Sequence, residues 1–239
     1  MIESDSPLMS LPRDLPPRQV LFLDAIRLSA QMANISYTEL SDIAQDLMER
    51  GEGRNIGDAS SRAITHAYSF VDAANRLREV VPQMRGLKHN SEYELFIRGT
   101  RDIKKLRKVI QHLNQELRNI TNRRTASMGT ITWLGPSPSP VSPATSWILQ
   151  CGSFYQDQMT FGPTFDLLTG VREGGIEDIC LTTSTVRVNL TQTHDCIGRF
   201  VRAIEGSVRD IPAPNGRFGS DVLMHFELRP VEAESDEEE

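Results

Sequence analysis

Arg107 and His112 lie five residues apart, in the segment Arg107-Lys-Val-Ile-Gln-His112, and side chains of both types can act on a phosphodiester. Histidine can move a proton near neutral pH, and arginine can stabilise the charge of a phosphorane. On a helix, His112 falls about 120° from the centre of the apolar face, which predicts a histidine outside the core. The pair is compatible with metal-independent RNA cleavage, and also with a solvated histidine on a surface helix.

At this motif the chain resembles the HEPN superfamily, whose helical bundles carry an arginine and a histidine at such a spacing. The resemblance covers about residues 18–122, and the motif is its specific part. It implies a helical bundle that dimerises to form a metal-independent ribonuclease site, with Arg107 and His112 as the catalytic residues.

The same segment carries a basic stripe. Its members lie nearly opposite an apolar seam on a helical wheel, and they are Arg101, Lys104, Lys105 and Lys108. The stripe is compatible with binding the phosphate backbone of RNA or DNA. It is also compatible with receiving the acidic tail, in which residues 232–239 hold six carboxylates, or with a solvated helix face.

Two polar residues interrupt the apolar face of another predicted helix. Asn75 and Arg78 fall on or beside that face, where an unpartnered polar group is costly to bury. We expect them to be hydrogen-bonded inside the bundle, to face a polar cleft, or to lie where the helix leaves its neighbours.

These residues require a helical scaffold, and the N-terminal half has the periodicity for one. Helices are predicted at residues 18–33, from Ser36 to Gly51, at 58–81, and from Ser91 to about residue 120. Ser36 and Glu39 form a capping box, as do Ser91 and Glu94. The expected fold of residues 18–125 is an up-and-down four-helix bundle.

The C-terminal half has short runs of β-prone residues. Strands are predicted at 130–134, 145–151, 179–190 and 221–229, with an amphipathic helix between residues 190 and 210. Trp133 and Trp147 are expected to pair in a hairpin. The fold class is therefore α+β, with a small, mainly antiparallel sheet and one packed helix at 129–230, while residues 1–17 and 231–239 are expected to be disordered.

The composition indicates the class of protein and its cellular compartment. The 239 residues are 38% hydrophobic and 24% charged with a net charge of -6, which is typical of a globular protein. Three cysteines without a C-x-x-C pair, no secretory signal and no apolar run of spanning length predict a soluble, cytoplasmic protein outside the membrane. The 22 arginines and 4 lysines suggest a GC-rich bacterial genome. No zinc, nucleotide or nucleophile motif is present, so no metal and no cofactor are expected.

The leading hypothesis is an interaction or regulatory protein, whose helical module forms a homodimer or binds a protein partner. One alternative is a HEPN-like ribonuclease in a toxin-antitoxin or phage-defence system. The other is a non-catalytic nucleic-acid-binding protein, with RNA as a possible partner.

Overall fold

A computed structural model describes residues 1–51, 56–84, 91–113, 115, 126–135, 145–152, 176–183, 186–219, 221 and 223. Its α-helices are α1 (Pro17–Arg50), α2 (Ala59–Val80), α3 (Ser91–Gly99), α4 (Ile103–Gln111) and α5 (Leu190–Arg209). Its strands are β1 (Ser10–Pro12), β2 (Gly129–Leu134), β3 (Ser146–Cys151), β4 (Glu177–Thr183), β5 (Val186–Asn189) and β6 (Arg217–Gly219). Short 3-10 turns span Pro7–Met9 and Val81–Gln83. The α+β class is confirmed.

The main sheet is antiparallel, with the strand order β3-β2-β4-β5. Trp133 lies opposite Trp147 in the β2–β3 pair, and their rings stack with centroids 6.3 Å apart, so the predicted hairpin is confirmed. The single strand predicted at 179–190 is wrong. Two antiparallel strands occupy this region, with Thr183 opposite Val186, because folding back lets the segment satisfy its own backbone groups.

The first two predicted helices are one helix, α1. Ser36 is not a cap but a buried residue within α1. No glycine or proline interrupts residues 18–50, and the buried positions Leu23, Ile26, Ala30 and Ala33 run in phase into Leu40. If the helix ended at residue 33, Leu40 would not continue the buried face of the residues before it. Packing of that face therefore outweighs the capping-box pattern at Ser36.

The fourth predicted helix is broken between α3 and α4. Arg78 donates to the Ile97 carbonyl at 2.5 Å. In a continuous helix, that carbonyl would accept a hydrogen bond from the Arg101 N–H. The Arg101 N–H instead donates to the Arg98 carbonyl. With the first two helices merged and this one divided, an up-and-down four-helix bundle is not confirmed.

The two predicted domains share one core. Helix α5 packs against α1 and α3, and its Phe200 stacks on Phe96 with ring centroids 4.6 Å apart. Buried residues of the helices and of the sheet form a continuous hydrophobic cluster. The boundary predicted near residue 125 is therefore a change of secondary structure, not a division between independent cores.

The N-terminal segment is ordered, in contrast to the prediction. Leu8 and Leu11 are buried, and β1 pairs with β6. Nearby, the buried Arg27 donates two hydrogen bonds to Asp221, at 2.8 and 2.9 Å. These contacts offset the entropic cost of ordering a terminus. The predicted strand at 221–229, apart from residues 221 and 223, and the acidic tail lie outside the described residues.

Candidate anion-binding groove

An ion pair fixes the distance between α2 and α4. The Nε of Arg107 donates to Oδ1 of Asp72 at 2.8 Å, and Nη1 of Arg107 lies 3.8 Å from Oε1 of Glu79. Ile103 and Leu106 of α4 are fully buried, so the helix is held by its apolar face and anchored by Arg107. The face of α4 opposite the core is left to the lysines.

Asp72 is the carboxylate at the centre of this anchor. Burial raises the pKa of its carboxyl, but hydrogen bonds from Arg107 and Arg76, together with their charges, more than offset this effect. The net pKa is therefore below its ordinary value. Asp72 is a fixed anion at neutral pH, and much of the charge of Arg107 is compensated by it.

Asn75 lies on the same face of α2 and is 1% exposed. Its Nδ2 donates to Oε1 of Glu79 at 2.9 Å, whereas its Oδ1 has no hydrogen-bond partner among the described residues. Buried amide oxygens are normally satisfied by protein or water. Asn75 is thus a buried polar residue beside the α4 lysines.

These side chains border one groove of about 380 Å³ between α2 and α4. Its lining carries four cations and one carboxylate, and consists of Asn75, Glu79, Lys104, Lys105, Arg107, Lys108, Gln111 and His112. Six residues that sequence reasoning named for three separate reasons therefore lie together: both members of the Arg-His motif, three of the basic stripe, and Asn75.

The side chains of the groove lysines are accessible to an anion from solvent. Lys104, Lys105 and Lys108 are all exposed. Lys105 pairs with Asp102 at 2.9 Å, whereas Lys104 and Lys108 form no ion pair with any residue that the structure describes. About one turn of helix, roughly 6 Å, separates their backbones, so the two lysines lie on the same face of α4.

Two predicted site residues lie elsewhere. Arg78 donates to the Ile97 carbonyl and, at 2.9 Å, to Oγ1 of Thr100, so it links α2 to α3 and does not line the groove. Arg101 is exposed beyond the start of α4, also outside the groove lining. His112 is exposed at the C-terminal end of α4, as the helical wheel predicted.

Sequence reasoning missed the two carboxylates that lie beside Arg107, of which only Glu79 lines the groove. Asp72 and Glu79 are seven residues apart on α2, and this spacing places them on one helix face. The spacing was visible in the sequence, but the partner of these carboxylates was not. Gln111 also lines the groove, and no pattern in the sequence marked it as a site residue.

Within the described ranges, no three His, Cys, Asp or Glu side chains converge to form a metal site. No helix there has both the length and the apolar character needed to cross a membrane. Comparison with known proteins gives no match to a family model, a curated protein or a solved structure.

Proposed function

We propose that the protein is a non-catalytic binding protein that holds single-stranded RNA in the groove between α2 and α4. One observation carries the proposal: Lys104 and Lys108, free of ion pairs among the described residues, stand one turn apart beside a buried asparagine. Two or three phosphates of one strand can follow α4, and the amide of Asn75 adds a polar group to the groove wall. The net charge of -6 keeps the rest of the surface unattractive to RNA.

The groove supports binding better than cleavage. Arg107 already donates to Asp72 and lies beside Glu79, so its positive charge is largely compensated before any phosphate arrives. A cation that stabilises a phosphorane must direct its charge at the reacting group. Arg107 instead supports the helix that carries the lysines.

The test is RNA binding as a function of salt, measured by fluorescence anisotropy with a labelled single-stranded oligonucleotide. Neutralising about three phosphates predicts a slope of log K against log salt of about -2. Lys104→Gln with Lys108→Gln is expected to weaken binding at low salt and to reduce the magnitude of the slope by about 1.4.

The control removes the same charge elsewhere. Arg62 and Arg202 are exposed and do not line the groove, so Arg62→Gln with Arg202→Gln is expected to bind as the unaltered protein does. Absent or salt-insensitive binding, or equal losses in the two double variants, contradicts the proposal.

A homodimer through the helical half is part of the proposal, and an exposed apolar stripe on α1 supports it. Leu21, Leu28 and Ile35 recur every seven residues with Met32 beside them, and they are 41 to 70% exposed. This repeat is typical of a helix that pairs with another helix. Leu28→Glu is expected to shift sedimentation from dimer to monomer, and a monomer in the unaltered protein removes this part of the proposal.

The second candidate is a HEPN-like metal-independent ribonuclease, in a toxin-antitoxin or phage-defence setting. It is favoured by one observation, that Arg107 and His112 border the same groove. The test is cleavage of RNA by purified protein in the presence of a chelator. Loss of cleavage in His112→Ala supports the ribonuclease, and unchanged or absent cleavage removes it.

A further inference from the structure

A second cavity shares no lining residue with the groove between α2 and α4. It has a volume of about 460 Å³ and is an open pocket bordered by the start of α1, the turn Val81–Gln83 and the end of α5. Its floor is formed by the buried side chains of Leu23, Ile204 and Val208. Phe22 lines its wall. A volume of this size, with an apolar floor, is typical of small-molecule sites.

The cavity has one charged lining residue, Arg18. Its guanidinium carbon lies 5.4 Å from the centroid of the Phe22 ring, so the cation is held at the wall of the cavity. Arg18 forms no ion pair with another residue in the described part of the chain. The polar remainder of the lining is neutral, with Gln19, Gln83 and Ser207.

This combination selects the ligand by its chemistry. The apolar floor favours an aliphatic or aromatic body, because moving that surface out of water is favourable. The guanidinium fork of one arginine matches one carboxylate. A polyanion such as RNA is disfavoured, because a single cation would face several phosphates across an apolar surface.

We propose that this cavity binds a small amphipathic carboxylate, such as a medium-chain fatty acid, with the carboxylate on Arg18 and the chain on the floor. The site is independent of the RNA-binding groove, since the two share no lining residue. It adds a small-molecule ligand to a protein whose proposed partner is a nucleic acid.

Isothermal titration calorimetry of the full chain with decanoate, below its micellar concentration, tests the proposal. One site per chain is expected. Arg18→Gln should weaken decanoate binding about tenfold, the loss typical of a charge-assisted hydrogen bond. The same substitution should leave binding of the uncharged decanol within about twofold. Arg13→Gln is the control, because Arg13 is exposed and outside the cavity.

A second variant blocks the cavity without touching the charge. Ser207 is exposed at the rim, so Ser207→Trp can fill the space while the buried floor stays intact, which thermal unfolding verifies. Decanoate and decanol should both fail to bind this variant. Equal decanoate affinity in Arg18→Gln and the unaltered protein, retained binding in folded Ser207→Trp, or no saturable binding overturns the proposal.

Discussion

Gly99 at the end of α3 is in direct contact with Cys196 of α5. A Cβ atom at position 99 would lie 2.5 Å from Sγ of Cys196, which is closer than real side chains approach. The absence of a side chain at Gly99 therefore allows α3 and α5 to pack together. This contact joins the helical half to the C-terminal half, next to the stacked rings of Phe96 and Phe200.

The Gly99→Ala substitution is expected to destabilise the protein by about 1–3 kcal/mol, because the new methyl group overpacks the contact. Adding Cys196→Ala removes Sγ and leaves only an ordinary contact with Cβ at 3.4 Å, so the double variant should recover most of the loss. Urea unfolding measures both changes.

Gly206→Ala supplies the matched control. Gly206 is also helical, but a Cβ there would meet nothing within 4 Å. This substitution should raise the free energy of unfolding by about 0.5–1 kcal/mol. If Gly99→Ala also stabilises the protein, the proposed packing of α3 on α5 is wrong.

Asp72→Asn is expected to lower the free energy of unfolding at neutral pH by about 1 kcal/mol, the upper range for an ion pair whose side chains are 29 and 33% exposed. The folded pKa of Asp72 lies below its ordinary value, so its stabilisation is present above about pH 4 and is lost as pH falls through the folded pKa. The difference between the variant and the unaltered protein should therefore shrink in acid.

The comparison for this prediction is Asp46→Asn, which removes an exposed ion pair with Arg50 of 2.7 Å. Its effect should be only a few tenths of a kcal/mol. Equal losses in the two variants, or a loss in Asp72→Asn that persists in acid, would show that Asp72 does not anchor α4 by its charge.

His194 lies between α1 and α5, and we expect it to make the free energy of unfolding depend on pH. Its ring stacks on Tyr37 with centroids 4.2 Å apart, beside Phe70 of α2, and its Nε2 lies 3.0 Å from Oδ1 of Asn34. Burial lowers the pKa of His194; the charge of Asp195 opposes this, and the N-terminal ammonium adds to it.

Because the folded pKa is lowered, the unfolded chain takes up a proton first as pH falls below about 6.5. The stabilisation that neutral His194 contributes is therefore fully present above about pH 6.5 and is lost as the pH falls toward the folded pKa. The unaltered protein should lose more stability between about pH 7.5 and about pH 5 than His194→Gln does. An equal loss of stability in both proteins over this pH range would contradict the prediction that His194 is neutral in the folded protein.

Removal of residues 232–239 is expected to tighten RNA binding at low salt. These residues carry six carboxylates that repel a phosphate backbone or compete with it for the lysines. A chain in which the six are replaced by Gln separates charge from length and should behave like the truncated protein. Unchanged affinity in both, measured by anisotropy, would show that the tail does not act on the groove.

Local periodicity determined the elements that depend on local contacts. The amphipathic α2 and α5, the β2–β3 hairpin and the exposed side of α4 could all be predicted, because a residue three or four positions away fixes a helix face and a residue two positions away fixes a strand face. Element boundaries depended on more than local periodicity: the capping box at Ser36 competed with the continuous apolar face of α1, and packing decided in favour of the continuous helix.

The candidate site was predicted in its components. The sequence alone identified Arg107, His112, Asn75 and the lysines by residue type and position. Only the tertiary structure brought them to one groove, and only it showed Asp72 neutralising Arg107 across 35 residues of chain. Likewise, only the tertiary structure showed that Arg78 donates a hydrogen bond to the Ile97 carbonyl, where the helix is broken between α3 and α4. Such pairings depend on which surfaces meet, and their energy comes from burial and hydrogen bonds between residues far apart in the chain.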